Sequence, residues 1–342
     1  MDQLEDFQKV LQDFSPLLNS YWAYAVGAVL GILTFIRSYM AGPNCPNEER
    51  IDGKIVIITG SSSGIGKETA LELARRGGHI ILAVRNEETG KKVAEEINTM
   101  PDGKAEVKYL NLSSLKSVQQ FAQKLEINEV DILVNNAGMV FHPYEKTKEG
   151  FEMHFVSNYL GHLLLTLLLL PKLKAAKQGR IINVAGQAHA VSSIHLEDMN
   201  LEKDYTAREA FGQSKLALIL MARHMSQILK ETNVTINATN PGLVRGTNHM
   251  RRSPISSTYI IKLIMQPWMW LLLKNPAQGA QTTVYAAVTK ELEHYSGKYF
   301  SDCELKKPSE NGTDDIMAEK LYTKSISLVK SFMVLRCTDS TS

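Results

Sequence analysis

The stretch K-I-V-I-I-T-G-S-S-S-G-I-G, Lys54 to Gly66, decides how the rest of this chain reads. Its first half is a β-branched apolar run of strand length, and its second half is a turn of glycines and serines. The helical K-E-T-A-L-E-L-A-R-R, Lys67 to Arg76, follows at once. A buried strand that ends in glycines and opens a helix offers backbone N–H groups and a positive helix end to a pyrophosphate. Taken alone the same glycines could serve only a tight turn, so the surroundings must decide.

Outward from that stretch, strands are predicted at His79–Val84, Val107–Leu110, Asp131–Val134, Arg180–Val184, Val234–Thr239 and, shorter, Lys298–Phe300, with helical stretches between them. This alternation gives a mostly parallel sheet covered on both faces, a single doubly wound Rossmann-type α/β domain over residues 51–335. The second strand ends in Ala83-Val84-Arg85-Asn86, with no carboxylate before Glu87. A ribose 2′-hydroxyl wants an acidic acceptor there and a 2′-phosphate wants arginine, so Arg85 is the expected phosphate contact and NADP(H) is favoured over NAD(H).

Composition bounds the rest. With 342 residues, 44% of them hydrophobic and 22% charged, the chain can bury a full core, which excludes wholesale disorder. Lys plus Arg at 38 against Asp plus Glu at 36 leaves a net charge of +2, which argues against nucleic-acid binding by phosphate neutralisation. Cys45, Cys303 and Cys337 are far apart and suggest neither a disulfide framework nor a metal site. Between Asp13 and Arg37 no residue is charged, and the apolar run 14–36 is long enough to cross a hydrocarbon layer of about 30 Å. Its acidic start does not suit a cleaved signal, so residues 1–40 read as a retained membrane anchor, with a buried helix as the other reading. Arg37 places the carboxyl side in the cytosol. Residues 41–50 then read as a linker.

Three motifs carry a resemblance. T-G-S-S-S-G-I-G (Thr59–Gly66), N-N-A-G (Asn135–Gly138) and N-P-G-L-V (Asn240–Val244) resemble the short-chain dehydrogenase/reductases in order and interval. G-F-E-M-H (Gly150–His154), N-Y-L-G-H-L-L-L-T (Asn158–Thr166), G-A-Q-T-T (Gly279–Thr283) and Y-F-S-D-C (Tyr299–Cys303) are similar to the membrane-bound retinol dehydrogenase branch. The resemblance implies about seven strands and reduction of retinal or similar lipid carbonyls with NADPH. It also implies a cofactor held by Gly60, Ser62, Ser63, Gly64, Ile65, Gly66, Arg85, Asn111, Asn136, Ala137, Gly138, Lys215, Pro241, Gly242 and Val244. Asn111 stands for the family's aspartate near the adenine. Gly246 stands for its Thr or Ser beside the nicotinamide, so that either Thr247 takes the role or the cofactor is held more loosely.

The same resemblance implies four catalytic positions: a tyrosine that moves the proton, a lysine at i+4, a serine after the fifth strand and an asparagine in the helix before it. Asn158 and Lys215 match. Phe211 stands at the tyrosine position and Gly186 at the serine position. Tyr205, Ser192, Ser193 and His189 are the hydroxyls and imidazole near enough in sequence to be considered as replacements. Residues 250–276, rich in Ile, Met, Trp and Leu, read as two short helices forming a substrate or membrane flap, or else as core or a self-association surface. Two readings of function stay open: a membrane-anchored NADP(H)-binding protein without ordinary turnover, and an oxidoreductase of lipid-like carbonyls using a rearranged proton route. The implied partners are a retinoid, steroid or fatty carbonyl, the membrane, and a protein partner or second copy. The implied membrane is the endoplasmic reticulum, with lipid droplets and mitochondria as alternatives.

Overall fold

The computed structural model describes residues 21–246 and 259–333. Eight strands form one sheet in the order β3-β2-β1-β4-β5-β6-β7-β8. They are β1 (Ile55–Thr59), β2 (His79–Val84), β3 (Lys104–Tyr109), β4 (Ile132–Asn135), β5 (Gly179–Val184), β6 (Val234–Asn240), β7 (Tyr299–Ser301) and β8 (Glu304–Lys306). The first seven are parallel, and only β8 runs antiparallel, on β7. The turn between them places Asp302 and Cys303 both at positive φ, as a two-residue hairpin of the primed kind requires. This extra edge strand corrects the seven-strand expectation. Its three residues are all exposed and two are charged, so no apolar pattern announced it.

Helices cover both faces, and strand alternation decides which face each side chain feeds. Ile57, Ile81, Leu133 and Ile181 join one core cluster with α4 (Leu115–Gln123), α5 (Gly161–Ala175), α6 (Ala207–Ile228) and α9 (Asp315–Val329). Val56, Ile58, Ile80, Leu82 and Ile132 join the other, with α2 (Gly64–Arg75), α3 (Glu87–Asn98) and α8 (Pro276–Val288). The strand order reverses between β1 and β4, so their carboxyl ends open a crevice there.

The apolar helix α1 (Tyr21–Ala41) buries none of its residues and is long and apolar enough to cross a membrane; residues 14–20 of the expected anchor lie outside the described residues. A second span of that quality, Phe155–Ala175, is a core element, mostly buried. Residues 41–50 do not run as a free linker. Cys45 N–H donates to Gln281 on α8, Asn47 Nδ2 donates to Thr289 Oγ1, and Arg76 Nη1 donates to the carbonyl of Asn47. The strand alternation shows why this was missed: a Pro-, Gly- and Asn-rich strap carries no periodicity, yet polar side chains can tie it down. Of the expected flap, the described part is one helix, α7 (Tyr259–Leu272), followed by the start of α8.

Candidate functional site

The crevice is a cleft of about 910 Å³ at the carboxyl ends of the strands. One end is the turn Gly60–Gly66 with the N-terminus of α2, where the first N–H groups of the helix face the cleft. Close approach explains a glycine here. A Cβ on Gly66 would sit 2.4 Å from Asn136 Nδ2 and 2.5 Å from the carbonyl oxygen of Gly60. Arg85 is exposed on the rim at the end of β2, and beside it Asn86 caps α3 by accepting from Thr89 N–H at 3.1 Å. Asn111 Oδ1 accepts from Ser113, which fixes the loop after β3.

The turn after β4 is held from below. Thr59 Oγ1 accepts from the N–H groups of Asn136 and Ala137, both at 2.9 Å, and lies 2.9 Å from His162 Nε2. With both acceptor sites filled, the hydroxyl donates its proton to Nε2, and His162 Nδ1–H donates to the carbonyl of Asn158 at 2.8 Å. His162 is fully buried and neutral, its pKa lowered to about 4, first by desolvation. Asn158 sits in a π-helical turn, Phe155–Leu160, that enters α5. Its Oδ1 accepts from Met139 N–H, and its Nδ2 donates to Met139 O and Ser214 Oγ. Buried Glu152 and His154 hold the far end of the same loop, His154 Nε2 accepting from His142 N–H.

The cleft also has an apolar lining: Met139, Val140, Phe141, Ala185, Ala188 and Leu243 line it together with Phe211 and Lys215. Lys215 and Phe211 lie one turn apart on α6, with the ammonium 5.8 Å from the ring centroid. Lys215 donates to the carbonyl of Val184 at 2.8 Å, and burial brings its pKa down to about 8. Gly186, just past β5, has φ +129 and ψ 171, and a Cβ built on it meets nothing within 4 Å.

All the sequence-predicted cofactor residues that are described line this cleft, and so do Gly186, Phe211 and Lys215. Asn158 does not; it lies behind Met139. Thr247 falls outside the described residues. None of the considered replacements lines the cleft. His189 donates from Nδ1 to the carbonyl of Gly186 and accepts at Nε2 from Ser309 N–H, so both ring nitrogens are engaged, and burial lowers its pKa. Tyr205 gives its hydroxyl to the carbonyl of His142, and desolvation raises that phenol to about 12. Ser192 Oγ turns to the carbonyl of Ala188. Sequence reasoning missed Thr59 and His162. The spacing of His162 four residues after Asn158 was the available signal.

This fold and cleft define a class: the chain belongs to the short-chain dehydrogenase family, whose model matches residues 54–256. Within it, the chain is 44% identical to Retinol dehydrogenase 13 of Mus musculus over 308 residues, covering 89% of this chain and 92% of that protein. It is 40% identical to Retinol dehydrogenase 11 of Homo sapiens over 306 residues, 86% of this chain and 91% of the other. Among solved structures, an uncharacterized protein from Mycobacterium paratuberculosis superposes with a TM-score of 0.69 at 30% identity, covering 84% of this chain and 98% of that one. A short chain dehydrogenase from Escherichia coli CFT073, complexed with NADPH, shares the fold at a TM-score of 0.58 and 23% identity, over 75% and 99% of the two chains.

Proposed function

We propose that this chain is a membrane-attached, NADP(H)-binding member of the retinol dehydrogenase-like branch that lacks ordinary turnover. One observation carries the reading: where a phenol would move the proton, one turn before Lys215, the cleft presents the ring of Phe211. Among its described lining residues the titratable side chains are Arg85 and Lys215, with no phenol, imidazole or carboxyl group. A positioned general acid contributes on the order of 10²–10⁴ in rate and one oxyanion donor about 10²–10³, so losing both removes ordinary catalysis.

Cofactor binding needs neither group. A nicotinamide dinucleotide would supply hydride when bound, and the chain's part is to hold it: the pyrophosphate on the first turn of α2, a 2′-phosphate on Arg85, the ribose on Lys215. The apolar part of the lining suits a retinoid, steroid or fatty carbonyl. Attachment rests on α1, and Arg37 at its carboxyl side favours a cytosolic domain; the family resemblance supports the endoplasmic reticulum as the membrane, with lipid droplets and mitochondria as alternatives.

The test uses the full chain in detergent or vesicles. NADPH binding is followed by its fluorescence and retinaldehyde reduction by loss of absorbance. The unmodified chain is expected to bind NADPH without turnover, and Phe211→Tyr to gain at least tenfold over background. Turnover by the unmodified chain, with no gain in the variant, overturns the reading. Lys215 favours a second one, since its pKa of about 8 makes the ammonium an acid of suitable strength. Slow turnover that falls as pH rises through about 8, and is lost in Lys215→Met, would establish that reading instead.

A further inference from the structure

Three tryptophans occur in the whole sequence, and all three stand on two neighbouring helices. Trp22 lies on α1, and Trp268 and Trp270 lie on α7; they are 79%, 57% and 50% exposed. Leu272 at the end of α7 and Leu243 on the cleft rim are also exposed. A water-facing domain rarely exposes such groups, whereas indole rings favour the boundary between hydrocarbon and headgroups; Trp22 stands at the amino end of α1, and Trp268 and Trp270 near the carboxyl end of α7.

The two helices are joined. They pack against each other, and near their carboxyl ends Arg37 of α1 locks them. Its guanidinium lies 5.6 Å from the Trp270 ring centroid, donates to the carbonyl of Leu273 at 2.9 Å and to Gln278 Oε1 at 2.8 Å. The next residue carries the connection into the cleft. Lys274 N–H donates to the carbonyl of Leu243, and Arg245 N–H donates to the carbonyl of Lys274, both at 2.9 Å. Lys274 Nζ pairs with Asp302 at 2.5 Å. Hydrogen bonds joined through the Leu273–Lys274 peptide therefore run from the apolar helix α1, past the end of α7, to Leu243 on the rim of the cleft.

We infer that α7 is a second membrane-seated element, and that the Arg37 clamp presses the Leu243 rim of the cleft against the bilayer, so that apolar ligands enter from the lipid. This rests on the membrane attachment proposed above for α1. The occupant is a phospholipid bilayer rather than a protein, for two reasons. α1 is about 32 Å long at 1.5 Å per residue, matches a hydrocarbon layer and has no fully buried residue. α7 lies against it and so shares its surroundings, and Lys262 is the single charged residue between Ile255 and Leu273.

The placement of the tryptophans supplies the test. Full-length Trp22→Phe carries reporters on α7 alone. It is mixed with phosphatidylcholine–phosphatidylserine vesicles whose acyl chains are brominated, and flotation is measured on the same samples. The expected result is flotation with at least twofold quenching of Trp268 and Trp270. A chain with all three tryptophans changed to Phe and Leu243→Trp added should be quenched as well. Arg37→Ala should still float but lose at least half of the Leu243→Trp quenching. Failure to float would defeat the attachment by α1. Flotation without quenching on α7, including the protection that a second copy over this face would give, overturns the present inference while leaving attachment intact. Quenching on α7 without quenching at Leu243→Trp overturns the entry route.

Discussion

Gly186, read from the family resemblance as standing at a serine position, differs from serine in its backbone as well as in its missing side chain. Its φ of +129 with ψ of 171 belongs to a region that only glycine occupies readily, and the peptide there turns its carbonyl to His189 Nδ1 at 2.6 Å. Space is not the obstacle, because a Cβ would touch nothing. Any cost of a side chain is therefore a backbone cost, about 1–3 kcal/mol. Gly186→Ala and Gly186→Ser should destabilise the chain equally, read as matched falls in the denaturation midpoint with unchanged slope. A serine variant as stable as the parent would show that this backbone relaxes at no cost. The same strain means that Phe211→Tyr, whose helix backbone is ordinary, is the cleaner way to return a hydroxyl to the cleft.

At the scale of elements, β1, the turn after β4 and α5 meet at Thr59 and His162. This junction is buried and built for a neutral imidazole. The His162 pKa of about 4 lies below the unfolded value of 6.5, so the unfolded chain binds the extra proton between those pH values. Stability must then fall as pH drops from about 6.5 towards 4, by about 3 kcal/mol at most from this residue, and level off below. Urea titrations at pH 7.5 and 5 would measure it, and His162→Gln should flatten that part of the slope. An unchanged slope in the variant would assign the acid lability elsewhere. Helix α5 also shows why this junction resisted reading. Asn158 was legible from its motif, but its partners Met139 and Ser214 come from other elements, and no spacing along one segment announces them.

Across the whole molecule, cofactor binding and folding are linked. A dinucleotide held by the native cleft and not by the unfolded chain stabilises by RT ln(1 + [L]/Kd), about 2.7 kcal/mol at a hundredfold excess over Kd. Thermal melts should rise by a few degrees with NADPH in the unmodified chain and in Phe211→Tyr alike. Arg85→Ala should bring the NADPH response down to that of NADH; an undiminished NADPH response would remove Arg85 from the binding role. The doubly wound sheet was legible throughout because β-branched runs such as Val56–Ile58 and Ile80–Leu82 must be buried on both sides. The first half of β3 was not, since Lys104 is exposed, Glu106 is charged, and Ala105 alone packs against the core, which is too little to make an apolar pattern. The cleft floor was legible from glycines and asparagines, its apolar lining only in part. Met139–Phe141 and Leu243 are ordinary loop residues until the chain folds them into the cleft that Phe211 also lines.

The strap from Cys45 to Ile51 bears on how the molecule can be handled. Because it is tied to Gln281, Thr289 and Arg76, and because Arg37 closes the end of α7, the leading helix is a structural neighbour of the α/β domain. Cutting the chain at residue 40 would not liberate a clean water-loving core. It would strip Trp270 of its guanidinium cover and bare a sticky ridge beside the cleft mouth, so a trimmed version is expected to clump where the intact chain, kept in a micelle, stays dispersed.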